Sequence, residues 1–146
     1  MKVLLFVCSG NRGRSPAAQY LAQESADRQN LPIEVQSCGT NVRDHATPDI
    51  QLLTALPAAK SHVPTGLDEK IIQRADLILT MNRQHMQIVT TMVPSATNKT
   101  YCLYEYADST TKVVVDPGDY DQEEYENFLD EMRRLVRLSL DKFSAP

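Results

Sequence analysis

Between Lys2 and Pro16 the chain passes from an apolar run into a loop of small and basic residues and then into a helix start, which leaves few folds open. Lys2 to Val7 has the composition of a strand buried on both faces. Ser15 reads as an N-cap, and Pro16 suits the first helical position, where its missing N–H costs nothing. A loop that turns from such a strand into such a helix directs free backbone N–H groups inward and forms a cradle for an anion. Gly10 and Gly13 permit the tight backbone this needs. Ser9, Gly10, Asn11, Arg12 and Gly13 are therefore expected to form a phosphate-binding loop, with the thiol of Cys8 at its base.

The remaining pattern alternates strands and helices. A helix is predicted over Ala17–Gln29, a strand over Ile33–Ser37, and a short helix over Pro48–Leu56 that buries Ile50, Leu52, Leu53 and Leu56. After a connector at Ser61-His62-Val63-Pro64, a short helix is expected over Leu67–Arg74 and a central strand over Ala75–Met81. Asn82 can cap a helix over Arg83–Met92, and Lys99–Leu103 reads as the fourth strand. Val113-Val114-Val115 runs into the turn signal Asp116-Pro117-Gly118, and a long helix over Gln122–Phe143 carries one continuous apolar stripe. Strand–helix–strand connections of this length are right-handed crossovers. The expected fold is a three-layer, doubly wound α/β domain over residues 1–146, with a four-stranded parallel sheet and helices on both faces. Ligands of such folds sit at the carboxyl ends of the strands, where Cys8 lies.

Composition excludes several classes. At 42% hydrophobic and 23% charged, the chain is ordinary for a globular protein, and its apolar runs are far too short to cross a bilayer. Met1 to Val7 runs into Cys8 with no cleavage site, so a cytoplasmic location is expected. Three cysteines, Cys8, Cys38 and Cys102, lack disulfide or zinc spacing and are expected to be reduced thiols. No metal, cofactor or membrane is called for, and a net charge of −4 gives no reason to expect nucleic acid. Eight carboxylates crowd Asp116–Glu131 while the opening loop carries Arg12 and Arg14. His45 and His85 fall in polar stretches and are expected at the surface.

Taken alone, Cys8 reads as a small hydrophobe and Asp116 before Pro117 as the start of a turn. The loop changes that. A free thiol is only a few per cent ionised near neutrality, so a nucleophilic role needs N–H groups and a cation around the sulfur. The same donors would hold a phosphate, and the guanidinium of Arg14 offers two parallel hydrogen bonds where Lys would offer a point charge. Cys8-x5-Arg14-Ser15-Pro16, with Gly10-Asn11 inside it, resembles the loop of the low-molecular-weight protein tyrosine phosphatases. The resemblance extends to Ser37-x-x-Thr40, to Ser61-His62-Val63, to the strand Ala75–Met81 and to Asp116-Pro117. It implies a phosphomonoesterase acting on a phosphorylated protein or peptide through a cysteinyl-phosphate. Cys8 would be the nucleophile, Arg14 would bind the transferring oxygens, Ser15 would hydrogen-bond the departing thiolate, and Asp116 would be the general acid and then the base. Asn11, Ser37 and His62 match the buried network that shapes the family's loop, and a monomer or weak dimer is expected.

Several positions depart from that pattern. Gly13 stands where a second cysteine is usual, so an oxidised Cys8 has no disulfide partner within the loop. Arg12 replaces the usual aliphatic residue, or the threonine of arginine phosphatases. Arg43 replaces an aromatic wall and Gly118 another, with Tyr120 as a partial substitute. Phosphotyrosine stacking is expected to weaken, and Arg12 and Arg43 to recruit acidic sequences. Three other functions share parts of the pattern: phosphoarginine phosphatase, arsenate reductase, which uses a relay of further cysteines, and a phosphate-binding regulator without turnover.

Overall fold

The residues of β1 (Lys2–Cys8) point alternately to two faces, and each face has its own core. In the computed structural model, which describes Met1–Pro146, Leu4, Phe6 and Cys8 join one buried cluster while Leu5 and Val7 join another. Three further strands, β2 (Ile33–Gly39), β3 (Leu77–Thr80) and β4 (Thr100–Cys102), complete a four-stranded sheet. All pairings are parallel and the order is β2-β1-β3-β4. The chain goes from β1 to one neighbour and then crosses to the other side, so strand order reverses beside β1 and leaves a crevice at its carboxyl end.

Helices cover both faces. Helix α1 (Arg14–Arg28) lies against the sheet through Ala17, Ala18, Ala22 and Ala26, whose small side chains allow a close approach. Helix α2 (Ile50–Ala55), helix α5 (Leu103–Asp108) and the long α6 (Gln122–Phe143) complete that layer through Leu52, Leu103, Leu129, Met132 and Leu140. On the opposite face α3 (Glu69–Arg74) and α4 (Arg83–Met92) supply Ile72 and Val89. The expected three-layer α/β architecture is the one observed, and no helix is long and apolar enough to cross a membrane.

Local departures have local causes. Helix α1 begins at Arg14 with Gly13 as its cap residue and no side-chain cap, so neither Ser15 nor Pro16 takes its expected place. Ser15 is buried inside the first turn, where its hydroxyl serves the loop instead. Ile50 begins α2 but is 81% exposed, so only part of that helix's apolar set is buried. The third and fourth strands are shorter than their apolar runs, and Leu103 turns into α5 instead of extending β4.

The end of β2 is stitched to the loop after β1. Thr40 N–H donates to Cys8 O and Asn41 N–H to Ser9 O, both at 2.9 Å. Gly39 is where the two backbones touch: a Cβ there would overlap the Ser9 carbonyl and come within 2.8 Å of Val42 Cγ2. A side chain cannot escape backbone that is itself fixed by hydrogen bonds. Gly39→Ala is therefore expected to cost about 1–3 kcal/mol in urea unfolding and to weaken anion binding at the loop. An unchanged unfolding midpoint would show that the β2 end is free to move.

Candidate active site

The loop from Cys8 to Arg14 is held from inside by Asn11. This residue is fully buried with a left-handed backbone, φ 54°, a conformation Asn tolerates better than most residues. Its Nδ2 donates to Ser15 Oγ and to Ser37 Oγ, both at 2.9 Å, and its Oδ1 accepts from Thr65 N–H at 2.8 Å. His62 Nε2 lies 2.9 Å from the Asn11 carbonyl; a carbonyl can only accept, so the ring donates. Ser37 in turn donates to Gln19 Oε1 at 2.6 Å. The expected network of Asn11, Ser37 and His62 is assembled, and it is joined by Gln19 and Thr65, which carried no sequence signal.

Cys8 is 2% exposed and its Sγ lies 2.9 Å from Ser15 Oγ. A thiolate has no proton to give, so in the ionised form that contact is donated by Ser15. Arg14 turns its Nη1 to the Val114 carbonyl at 3.0 Å, and Val114 N–H donates to Met81 O at 2.9 Å. The segment before Asp116 is thus pinned on one side to the expected phosphate-binding arginine and on the other to the end of β3. Val114 is buried while Val113 and Val115 are exposed, a strand-like alternation that three consecutive valines do not reveal in the sequence. Asp116 is exposed and faces the same cleft as Cys8 and Arg14. Its Oδ1 accepts from Gly118 N–H at 3.2 Å, with Gly118 at φ 44°, so Asp116 both shapes its turn and lines the cleft.

His85 corrects the sequence reading. Instead of lying at the surface it is 2% exposed, with Nε2 2.9 Å from Ser9 Oγ. It also forms a reciprocal cap with Asn82 at the start of α4. Burial, reinforced by the charge of Arg14, lowers the pKa of His85 to about 4. Burial likewise lowers that of His62, against the opposing hydrogen bond to Asn11. His45 is exposed as expected.

The mouth of the cleft is polar. Arg12 donates through Nε to Thr47 O at 2.6 Å and pairs with Asp49 at 3.3 Å, so it is not a free cation for acidic sequences. Burial raises the Asp49 carboxyl, with Arg12 opposing and Asp116 adding to the rise. A Cβ on Gly13 would sit 2.5 Å from Asp49 Oδ2, so the missing side chain at 13 is the space that Asp49 fills. Arg43 lines the cleft from an exposed position. Tyr120 does not wall this cleft; it lines a separate cavity behind the Asp116 segment, beside Val114 and Phe128.

The other thiols lie elsewhere. Cys38 pairs in register with Val7 and shares its face of the sheet, opposite to Cys8. Burial, with the charges of Cys8 and Asp68 adding, pushes the Cys38 thiol up to about 12. Cys102 is buried at β4, where its sulfur accepts from Thr80 Oγ1.

Comparison with known proteins agrees with this geometry. Residues 3–144 match the family model described as low molecular weight phosphotyrosine protein phosphatase. A protein-arginine-phosphatase of Bacillus subtilis (strain 168) is 34% identical over 137 residues, covering 92% of this chain and 91% of that protein. The low molecular weight protein-tyrosine-phosphatase Ptp of Acinetobacter johnsonii is 28% identical over 141 residues, covering 93% and 91%. Among solved structures, a cysteine-to-serine mutant of the arginine phosphatase YwlE, with its active-site serine phosphorylated, superposes with a TM-score of 0.88 at 29% identity. It covers 97% of this chain and 95% of that one.

Two outcomes follow from the burial of His85 and the isolation of Cys8. Because the folded pKa of His85 lies below its unfolded value, the unfolded chain binds the extra proton, and stability falls as pH drops from about 6.5 towards about 4. Denaturant titration is expected to show a loss of roughly 1–2 kcal/mol between pH 7 and pH 5 that shrinks in His85→Gln, where His62 alone of the two buried rings still contributes; equal losses would remove His85 as a cause. Peroxide inactivation is expected to be poorly reversed by dithiothreitol after long exposure, since no thiol can trap the first oxidation product of Cys8. Full recovery would count against that isolation.

Proposed function

We propose that this chain, which belongs to the low molecular weight phosphotyrosine protein phosphatase family, is a protein phosphatase working through a cysteinyl-phosphate, with residues 1–146 acting as one domain. The observation that carries this reading is the Cys8 sulfur at the floor of an anion-shaped loop, 2.9 Å from a hydroxyl that can donate to it and facing the cleft shared with Arg14 and Asp116. The uncapped first turn of α1 leaves its N–H groups available to an anion at the loop.

In the first step the Cys8 thiolate attacks phosphorus in line and the bond to the leaving group breaks. Arg14 and the loop N–H groups take up the charge on the transferring oxygens. A phenolate leaves poorly because tyrosine ionises near pH 10, so Asp116 as the acid gives it a proton. In the second step water attacks the thiophosphate, the ionised Asp116 takes its proton, and Ser15 donates to the thiolate that departs. The ion-pair-free Arg14 guanidinium keeps one donor on Val114, which fixes its plane and leaves the rest of its fork for phosphate.

The substrate is a phosphorylated protein in the cytoplasm, and phosphotyrosine is the first reading. One observation favours phosphoarginine as the second: no aromatic residue lines the cleft mouth for a phenyl ring to stack on, and beside the Arg12–Asp49 pair and Arg43 it carries Asp116, a carboxylate in no ion pair. The arginine phosphatase relative points the same way. Arsenate reduction has less support, because the register puts Cys38 and Cys102 on the Val7 face of the sheet, opposite to Cys8.

Wild-type protein is expected to hydrolyse para-nitrophenyl phosphate, with Cys8→Ser inactive and Asp116→Ala reduced about 10²–10⁴-fold. Phosphotyrosine and phosphoarginine peptides compared by kcat/KM then decide the substrate. Absence of hydrolysis of all three by the wild type would overturn the phosphatase reading in favour of a phosphate-binding regulator.

A further inference from the structure

We propose that the side chain of Ser9 is a further hydrogen-bond donor to the phosphoryl group and that His85 is the positioning residue that aims it. The inference rests on the phosphatase reading for the identity of the anion, and on the tautomer of one buried ring for its geometry.

His85 is the third residue of α4, and its ring has one partner at each nitrogen. Nδ1 lies 3.3 Å from the backbone N–H of Asn82, which can only donate, so Nδ1 carries no proton. The ring is 2% exposed and feels the charge of Arg14, both of which keep it neutral. The single ring proton is therefore on Nε2, which donates to Ser9 Oγ at 2.9 Å. The Asn82 side chain closes the arrangement by accepting from His85 N–H at 3.1 Å, so the ring cannot rotate without opening the cap of α4.

A serine hydroxyl that accepts from an N–H still has its own proton to give. Ser9 Oγ makes no other hydrogen bond in the protein, and Ser9 lines the cleft beside Cys8 and Arg14. Ser9 is exposed at the cleft, so that proton is available to an anion held by the loop. The hydroxyl of Ser15 is used differently, since it accepts from Asn11 and lies 2.9 Å from the sulfur, to which it donates when the thiol is ionised. The two hydroxyls divide the work: Ser15 serves the nucleophile and Ser9 the transferring oxygens. Polarisation along Asn82 N–H, imidazole and Ser9 strengthens the last donor of the row.

The experiment separates aiming from mere packing by the choice of substituent at 85. Asn places its amide oxygen near the position of Nδ1 and keeps the cap, but has no atom at Nε2. Gln places its amide nitrogen near Nε2 and can still donate to Ser9. Inorganic phosphate binding by calorimetry and kcat/KM for para-nitrophenyl phosphate are measured for each full-length variant. Ser9→Ala and His85→Asn are each expected to lose about tenfold in both. The double variant is expected to lose no more than either single one. His85→Gln is expected to recover to within about threefold, as is Ser9→Thr, which keeps the hydroxyl. Nitrogen chemical shifts of the wild type should place the ring proton of His85 on Nε2. Wild-type affinity in Ser9→Ala, equal losses in His85→Gln and His85→Asn, or a proton on Nδ1 would each overturn the proposal. The phosphate-binding arm does not depend on turnover, so a wild type without phosphatase activity counts against the phosphatase reading and not against the Ser9–His85 contact.

Discussion

The side chain of Asn11 is the contact on which the site depends. It is a buried amide with both N–H groups and its oxygen occupied, on a residue whose own carbonyl is occupied as well. Those partners come from three parts of the chain: Ser15 from α1, Ser37 from β2, and His62 and Thr65 from the connector before α3. Removing the amide would leave several buried donors and acceptors unpaired, each at a cost of about 1–3 kcal/mol. The left-handed backbone at Asn11 is sustained by that network, because nothing in an isolated loop would hold it there. The shape of the anion cradle is therefore a tertiary property, although the residues that form it are consecutive.

The sheet decides which side chains can take part. Alternation along β1 sends Cys8 to the face covered by α1 and α6, and the parallel register sends Cys38 to the other. Two cysteines on neighbouring strands thus point to opposite faces of the sheet. The same sheet supplies the anchor for Asp116. Val114 is bonded to the end of β3 and to Arg14, so a residue far along the chain is fixed relative to the loop without belonging to a strand. A single arginine links the place where phosphate would sit to the segment that carries the acid.

Much of this was legible in the sequence because it is periodic or local. The apolar run of β1, the stripe of α6 and the cap at Asn82 each follow from a spacing that physics reads directly. The loop from Cys8 to Ser15 was legible because a strand, small residues and a helix start occur in immediate succession. What was not legible depends on contacts between distant segments. His85 looks like a surface residue in its own polar stretch, and only the packing of α4 against the loop buries it and bonds it to Ser9. Ser15 has the identity of an N-cap, yet the demand of the sulfur for a donor outweighs the helix end's need for one. Tyr120 is near Asp116 in sequence but behind it in space.

The unusual residues of the loop make sense as one unit instead of as separate losses. A side chain at position 13 would collide with Asp49, and Asp49 is the partner of Arg12. Asp49 N–H also donates to the Arg12 carbonyl at 3.0 Å, and Arg12 Nε reaches back to Thr47. The glycine, the acid and the arginine therefore form a clasp that ties the loop to the start of α2, where an aromatic-walled slot would need open space. Arg12 and Asp49 offset each other within the clasp, and the remaining charges at the mouth are those of Arg43 and Asp116. The clasp and Gly13 thus leave a polar mouth above the loop, lined by arginines and carboxylates together and by no aromatic ring.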